Sequence, residues 1–135
     1  MPTILVDENI DGYTEYLSRL VFSPAWGDFS TQLGIRIVKF EEVGLAKGTP
    51  DDHVWEFCQN QLIYLITDNR NQDKPDSLEA TIRTRNLATS LPVFTISDIN
   101  RFRDEPEYVE RVVARLLEYL VDGENILGAG RLYLP

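Results

Sequence analysis

A chain of 135 residues with 43% apolar side chains has the size of one domain, spanning residues 1–135, and enough apolar surface for a real core. Its 22 acids against 13 Lys and Arg give a net charge of −9, which argues against an ordinary nucleic-acid-binding domain but not against a nuclease, because metal-holding acids carry such charge until a cation binds. No apolar run approaches the roughly 20 residues of a membrane span, and the first strand starts too early to leave room for a signal segment, so a cytoplasmic protein is expected.

Thr3-Ile4-Leu5-Val6 reads as a buried strand that runs into Asp7-Glu8-Asn9. Tyr13, Tyr16, Leu17, Leu20 and Val21 recur at helical spacing, predicting an amphipathic helix over about 11–22 that Ser23 and Pro24 end. Residues 23–34, SPAWGDFSTQLG, read as a turn-rich stretch whose Trp26 and Phe29 either tuck onto the core or form a contact patch. Apolar and basic residues alternate from Ile35 to Phe40, a strand nearer the sheet edge, which leads into Glu41-Glu42. Thr49-Pro50-Asp51-Asp52 marks a helix start, with Thr49 as N-cap and Pro50 as first helical residue. That helix runs to about residue 60 with Val54, Trp55, Phe57 and Cys58 on its buried face. Cys58 therefore reads as core packing, and the lone His53 has no partner for a zinc site.

The next run, 62–66, is wholly apolar, as in a strand covered on both faces, and stops at Asp68 before a polar loop. Asp76-Ser77-Leu78-Glu79 offers a capping pattern for a weaker helix to about 88, and Val93-Phe94-Thr95-Ile96 is a strand ending at Ser97-Asp98. From Asp104–Glu107 the longest helix carries an apolar stripe, Tyr108 to Val121, until Asp122-Gly123; the tail reads as a turn and a short final strand. Strands alternating with helices at this spacing imply right-handed crossovers and an α/β three-layer sandwich on a parallel sheet of four or five strands.

A parallel sheet could gather Asp7 with Glu8, Glu42, Asp51 with Asp52, and Asp68 at one edge, where open α/β sheets place their ligands. Hard oxygen donors of this kind suit Mg²⁺ or Mn²⁺. The bland alternatives are capping for Asp51 and Asp52, and a solvated turn for Glu41 and Glu42. Residues 61–135 hold 9 of the 13 bases, all but one of them Arg, so a polyanion would approach that half.

LVDENI, FEEVGLAKGTPDDHVWEF, LIYLITDN and the terminal LYLP together resemble the small PIN-like proteins of prokaryotes, over most of the chain and in order. That resemblance implies metal-ligand positions at Asp7, Asp51 and Asp68, with Glu42 as a fourth acid, and Mg²⁺- or Mn²⁺-dependent hydrolysis of single-stranded RNA, often by the toxin of a toxin–antitoxin pair. Arg70 would contact the phosphate backbone, or Arg83 and Arg85 would do so. Arg70 stands where the group commonly has a second Asp, with Asn71 and Asp73 as possible stand-ins, and segment 23–34 is longer than usual for the group. The competing expectation is a catalytically weak or inactive PIN-like module, acting through an antitoxin or other protein partner, or as a homodimer, by way of Trp26, Phe29 and the long helix. A phospho-receiver-like domain fits less well, because no later strand ends in Lys.

Overall fold

The computed structural model describes residues 1–71 and 74–135, so Asp73 lies outside the described residues. Strands β1 (Thr3–Val6), β2 (Arg36–Val38), β3 (Tyr64–Thr67), β4 (Val93–Ile96) and β5 (Arg131–Leu134) form one parallel sheet in the order β2-β1-β3-β4-β5. Helices α1 (Thr14–Val21), α2 (Gly27–Leu33), α3 (Asp51–Gln61), α4 (Leu78–Arg85), α5 (Ile99–Asp104) and α6 (Pro106–Val121) connect and cover it. The class is the expected three-layer α/β sandwich, with five strands.

Side-chain alternation along the strands creates the two outer layers. Ile4, Val6, Tyr64, Ile66, Phe94 and Ile96 point into the larger core, shared with Leu17 and Val21 of α1, Phe102 of α5 and the apolar stripe of α6. Leu5, Leu65 and Val93 point the other way, onto Val54, Trp55 and Cys58 of α3 and Leu78 and Ile82 of α4. The apolar run within β3 is thus explained: Tyr64, Leu65 and Ile66 are buried against one layer or the other, and Thr67 closes the strand as a buried hydroxyl. Each such aliphatic side chain contributes about 1.5–3 kcal/mol by leaving water. Edge strand β2, by contrast, has an exposed Arg36 and only one buried residue, Val38.

Two helices depart from the expectation. Segment 23–34 contains α2, whose polar GDFSTQL sequence has no apolar period of its own; the helix is held by a Ser30 hydroxyl donating to the carbonyl of Val21 at 2.7 Å and is ended by Gly34 at φ 71°. Residues after Ser97 form α5, because the Asp98 carboxylate accepts the N–H groups of Asn100 and Arg101 and Phe102 is fully buried. Helices this short are decided by docking rather than propensity.

Boundaries also shift. The first turn of the expected 11–22 helix is a 3₁₀ turn, Glu8–Tyr13, before α1. Pro50 rather than Thr49 is the N-cap of α3, the Thr49 hydroxyl donating instead to the carbonyl of Ala46. Leu62 takes the left-handed conformation (φ 56°) to end α3, stays 74% exposed, and so delays β3 to Tyr64. Helix α4 stops at Arg85, and α6 begins at Pro106 after a Glu105 cap whose side chain makes no capping bond. Among the described residues no helix is long and apolar enough to cross a membrane.

Candidate functional site

The sheet order places β1 beside β3, so Asp7 and Asp68 follow neighbouring parallel strands and emerge at the same edge. Their register is not level. Val6 pairs with Ile66, and the Asp7 N–H donates to the Ile66 carbonyl at 2.9 Å, which sets Asp7 opposite Thr67 and leaves Asp68 one residue farther on. Successive residues of a strand face opposite ways, so Asp7 shares the α3/α4 side with Thr67, while Asp68 is out of phase with it.

Asp7 is 8% exposed. Its Oδ2 accepts the Thr67 hydroxyl at 2.6 Å and its Oδ1 accepts the Glu8 N–H at 2.8 Å. Burial pushes its carboxyl up to about 6; the Thr67 and Glu8 hydrogen bonds oppose the rise, and the charges of Asp51 and Asp68 add to it. Asp51 and Asp68, the two other acids named from the sequence, thus lie near enough for their charges to act on buried Asp7. Cys58 lies close enough to feel Asp7 as well: burial first, then the Asp7 charge, pushes its thiol up to about 12, which leaves it an inert core residue.

The other two acids are held by an amide each. The side-chain NH₂ of Asn9, on the 3₁₀ turn that follows Asp7, donates to Asp68 Oδ1 at 2.6 Å. Asp51, the first residue of α3, accepts at Oδ2 both the Asn69 side-chain NH₂ (3.0 Å) and the N–H of Leu78, the first residue of α4 (3.2 Å). Two helix N-termini thus open at this edge, where their dipoles favour negative charge.

Asn69 is the hub. Its N–H donates to the Thr67 hydroxyl at 3.0 Å, its side chain reaches Asp51, and its carbonyl accepts Arg131 Nη1 at 2.8 Å. Arg131 comes from β5, two strands away from Thr67; its side chain is 6% exposed, donates to the Thr95 hydroxyl at 2.7 Å and pairs with Glu79 at 3.1 Å. A continuous set of hydrogen bonds therefore runs from β5 through Asn69 to two of the three acids. A cavity of about 240 Å³ adjoins it, lined by Asp51, Asn69, Asn71, Lys74, Asp76 and Ser77.

The remaining expected residues have other surroundings. Glu42 accepts the N–H of Lys39 at 3.0 Å, closing the 3₁₀ turn Phe40–Val43. Glu8 accepts the Gly48 N–H. Arg85 pairs with Glu56 at 3.0 Å and Asp52 at 3.6 Å, and Arg83 lies 3.7 Å from Glu79. Arg70 is exposed. Asn9, Asn69, Arg131 and Lys74 were not singled out from the sequence. An Asn two residues beyond a buried strand is a common turn residue, and nothing in the order of residues links position 69 to position 131.

Hard carboxylate oxygens backed by amide donors suit a divalent cation in kind. Among the described residues, however, no three His, Cys, Asp or Glu side chains are placed to hold a metal ion as they stand. The chain matches no protein-family model, no curated protein and no solved structure.

Proposed function

We propose that the protein is a PIN-like, Mg²⁺- or Mn²⁺-dependent ribonuclease that cleaves single-stranded RNA in the cytoplasm, as a toxin–antitoxin component. The observation that carries this reading is Asp7 itself, a carboxylate buried at the end of β1 whose pKa is raised to about 6, first by burial and then by the charges of Asp51 and Asp68. Structural acids are normally paired with bases; a buried carboxylate at a sheet edge with two further acids acting on it is an arrangement that a cation relieves. Asp7, Asp51 and Asp68 would hold the ion, which when bound supplies an activated water and stabilises charge building on the phosphorus oxygens. Within the chain, Thr67 and the Glu8 N–H fix the Asp7 carboxylate, Asn69 orients Asp51, and Asn9 orients Asp68. Lys74, beside Asp51 in the adjoining cavity, and exposed Arg70 are the nearby bases suited to a phosphate backbone.

Incubation of a single-stranded RNA oligonucleotide with the protein and Mn²⁺ tests this directly. Cleavage that is lost in Asp7→Asn and Asp51→Asn is the expected result. An absence of cleavage by the unaltered protein favours the second reading, an inactive PIN-like interaction module, which draws support from the lack of a ready-formed ion site among the described residues and from Arg70 at the usual acid position.

A further inference from the structure

The opposite layer of the molecule carries a feature that the carboxylate edge does not use. Two cavities, of about 680 and 340 Å³, lie along α6 and meet at Trp26 and Ala114, which line both. Together they form a groove between α6 and the connection from α1 into α2. The small side chain of Ala114 leaves room at its centre, and Phe29 and Val121 stay 40% and 56% exposed beside it. Trp26, Ala114, Phe29 and Val121 thus give the groove an apolar floor open to solvent.

The rim is acidic. Glu107, Glu110, Glu118 and Asp122 line the groove against a single base, Arg111, whose guanidinium is turned over the Tyr108 ring at 5.7 Å. Glu118 also lies 3.9 Å from Arg115, an exposed pair of little energetic weight. A second copy of this chain, with its net charge of −9, would be repelled from such a rim, and so would an anionic lipid surface. A cationic segment would be drawn to it.

We propose that this groove docks a basic amphipathic helix of a partner protein. Aliphatic side chains one helical turn apart enter the two cavities on either side of Trp26, and Lys or Arg residues flanking them meet the four rim acids. The site lies on the α1/α6 layer, whereas the acids gather at the edge served by α3 and α4, so docking does not depend on the nuclease reading.

The test uses a labelled Leu/Lys amphipathic peptide of about 18 residues, long enough for five turns, and a Leu/Glu peptide with the same apolar pattern. Fluorescence anisotropy is measured at about 0.15 M salt, where charges are screened beyond ~8 Å. The Leu/Lys peptide is expected to bind and the Leu/Glu peptide not. Trp26→Ala should weaken binding by about tenfold or more, as removal of a central aromatic anchor does. Ala114→Gln, which fills the groove without adding charge, should do the same while leaving the melting temperature unchanged. Glu110→Lys combined with Glu118→Lys should reverse the preference between the peptides. The proposal is overturned if neither peptide binds, or if the Leu/Lys peptide binds Trp26→Ala and Ala114→Gln as well as it binds the unaltered protein, since attraction by overall charge then suffices. It is equally overturned by a dimer in sedimentation that Ala114→Gln converts to monomer, or by binding to anionic vesicles that Ala114→Gln abolishes.

Discussion

The carboxylate edge and the α6 groove answer the same question, what to do with surface that does not fit water or core, in opposite ways. At the edge, buried charge is held in place from within: each of Asp7, Asp51 and Asp68 has a named donor, and Arg131 ties the far strand β5 into the set. At the groove, apolar side chains such as Phe29 and Val121 stay exposed and the rim acids outnumber the bases. The difference separates two kinds of instability. Strain at the edge is intramolecular and changes with pH, whereas the groove costs the folded chain little and shows itself only when something binds. Substitutions in the two regions should accordingly be read by different measurements.

The largest expected effect lies in the tie between strands. Arg131→Met removes the 3.1 Å ion pair to Glu79 and takes a donor from both Asn69 and Thr95. Among the described residues one nitrogen of Arg131 is already buried without a hydrogen-bond partner, which offsets part of the loss. A net destabilisation of about 3 kcal/mol is expected from urea denaturation. An unchanged midpoint would mean that Asn69 is held without β5.

Asp7→Asn should act in the reverse direction. Folding raises the Asp7 pKa from 3.8 to about 6, so the folded chain binds the proton more tightly than the unfolded one. Stability therefore falls as pH climbs from about 4 to about 6, and above that window the full penalty is present, with an upper limit of about 3 kcal/mol for a shift of this size. The Asn variant avoids that penalty but disturbs the hydroxyl bond from Thr67, which leaves a gain of about 2 kcal/mol at pH 7.5. Below pH 4 the advantage should vanish. A variant less stable than the parent at pH 7.5 would show Asp7 to be a structural acceptor whose charge the fold needs.

In the groove, Ala114→Gln should change stability by less than about 0.5 kcal/mol, because the side chain extends into open space on a helix that tolerates it. A loss several times larger would mean that the groove closes in solution. The smallest effect is expected at Arg70. Exposed and beside the acids in sequence, it influences them through solvent, so Arg70→Asp should strengthen Mn²⁺ binding by no more than about threefold without shifting the melting temperature. Unchanged Mn²⁺ binding in that variant would show that Arg70 points away from the ion.

Much of this architecture is written locally. The apolar runs at Ile4–Val6 and Ile66, the β4 limits and the α6 stripe follow from period and burial, and a capping pattern at 76–79 was visible, within which Ser77 is the cap. Helix α2 was hidden because its stabilising bond, Ser30 to Val21, joins residues whose types say nothing about each other. Asp7, Asp51 and Asp68 could be named because each follows a strand or starts a helix. Their offset could not, since it depends on Leu62 ending α3 in a left-handed turn and so fixing which residue of β3 faces Val6. Glu42 was a reasonable acid by position and is engaged with Lys39, a local bond that competes with any distant role. Asn69 and Arg131 were invisible because their importance lies in a contact spanning 62 positions.

Calorimetric titration of the metal-free protein with Mn²⁺ at pH 7.5, run side by side on the parent chain and on Asp7→Asn, tests the central claim most directly. If Asp7, Asp51 and Asp68 form a cation site, the parent takes up Mn²⁺ with defined stoichiometry, the Asn variant takes up none, and lowering the pH below about 6 weakens the parent's binding as protons return to Asp7. A parent chain that binds no Mn²⁺, or an Asn variant that binds it equally well, would contradict the claim and leave the acidic edge a structural network.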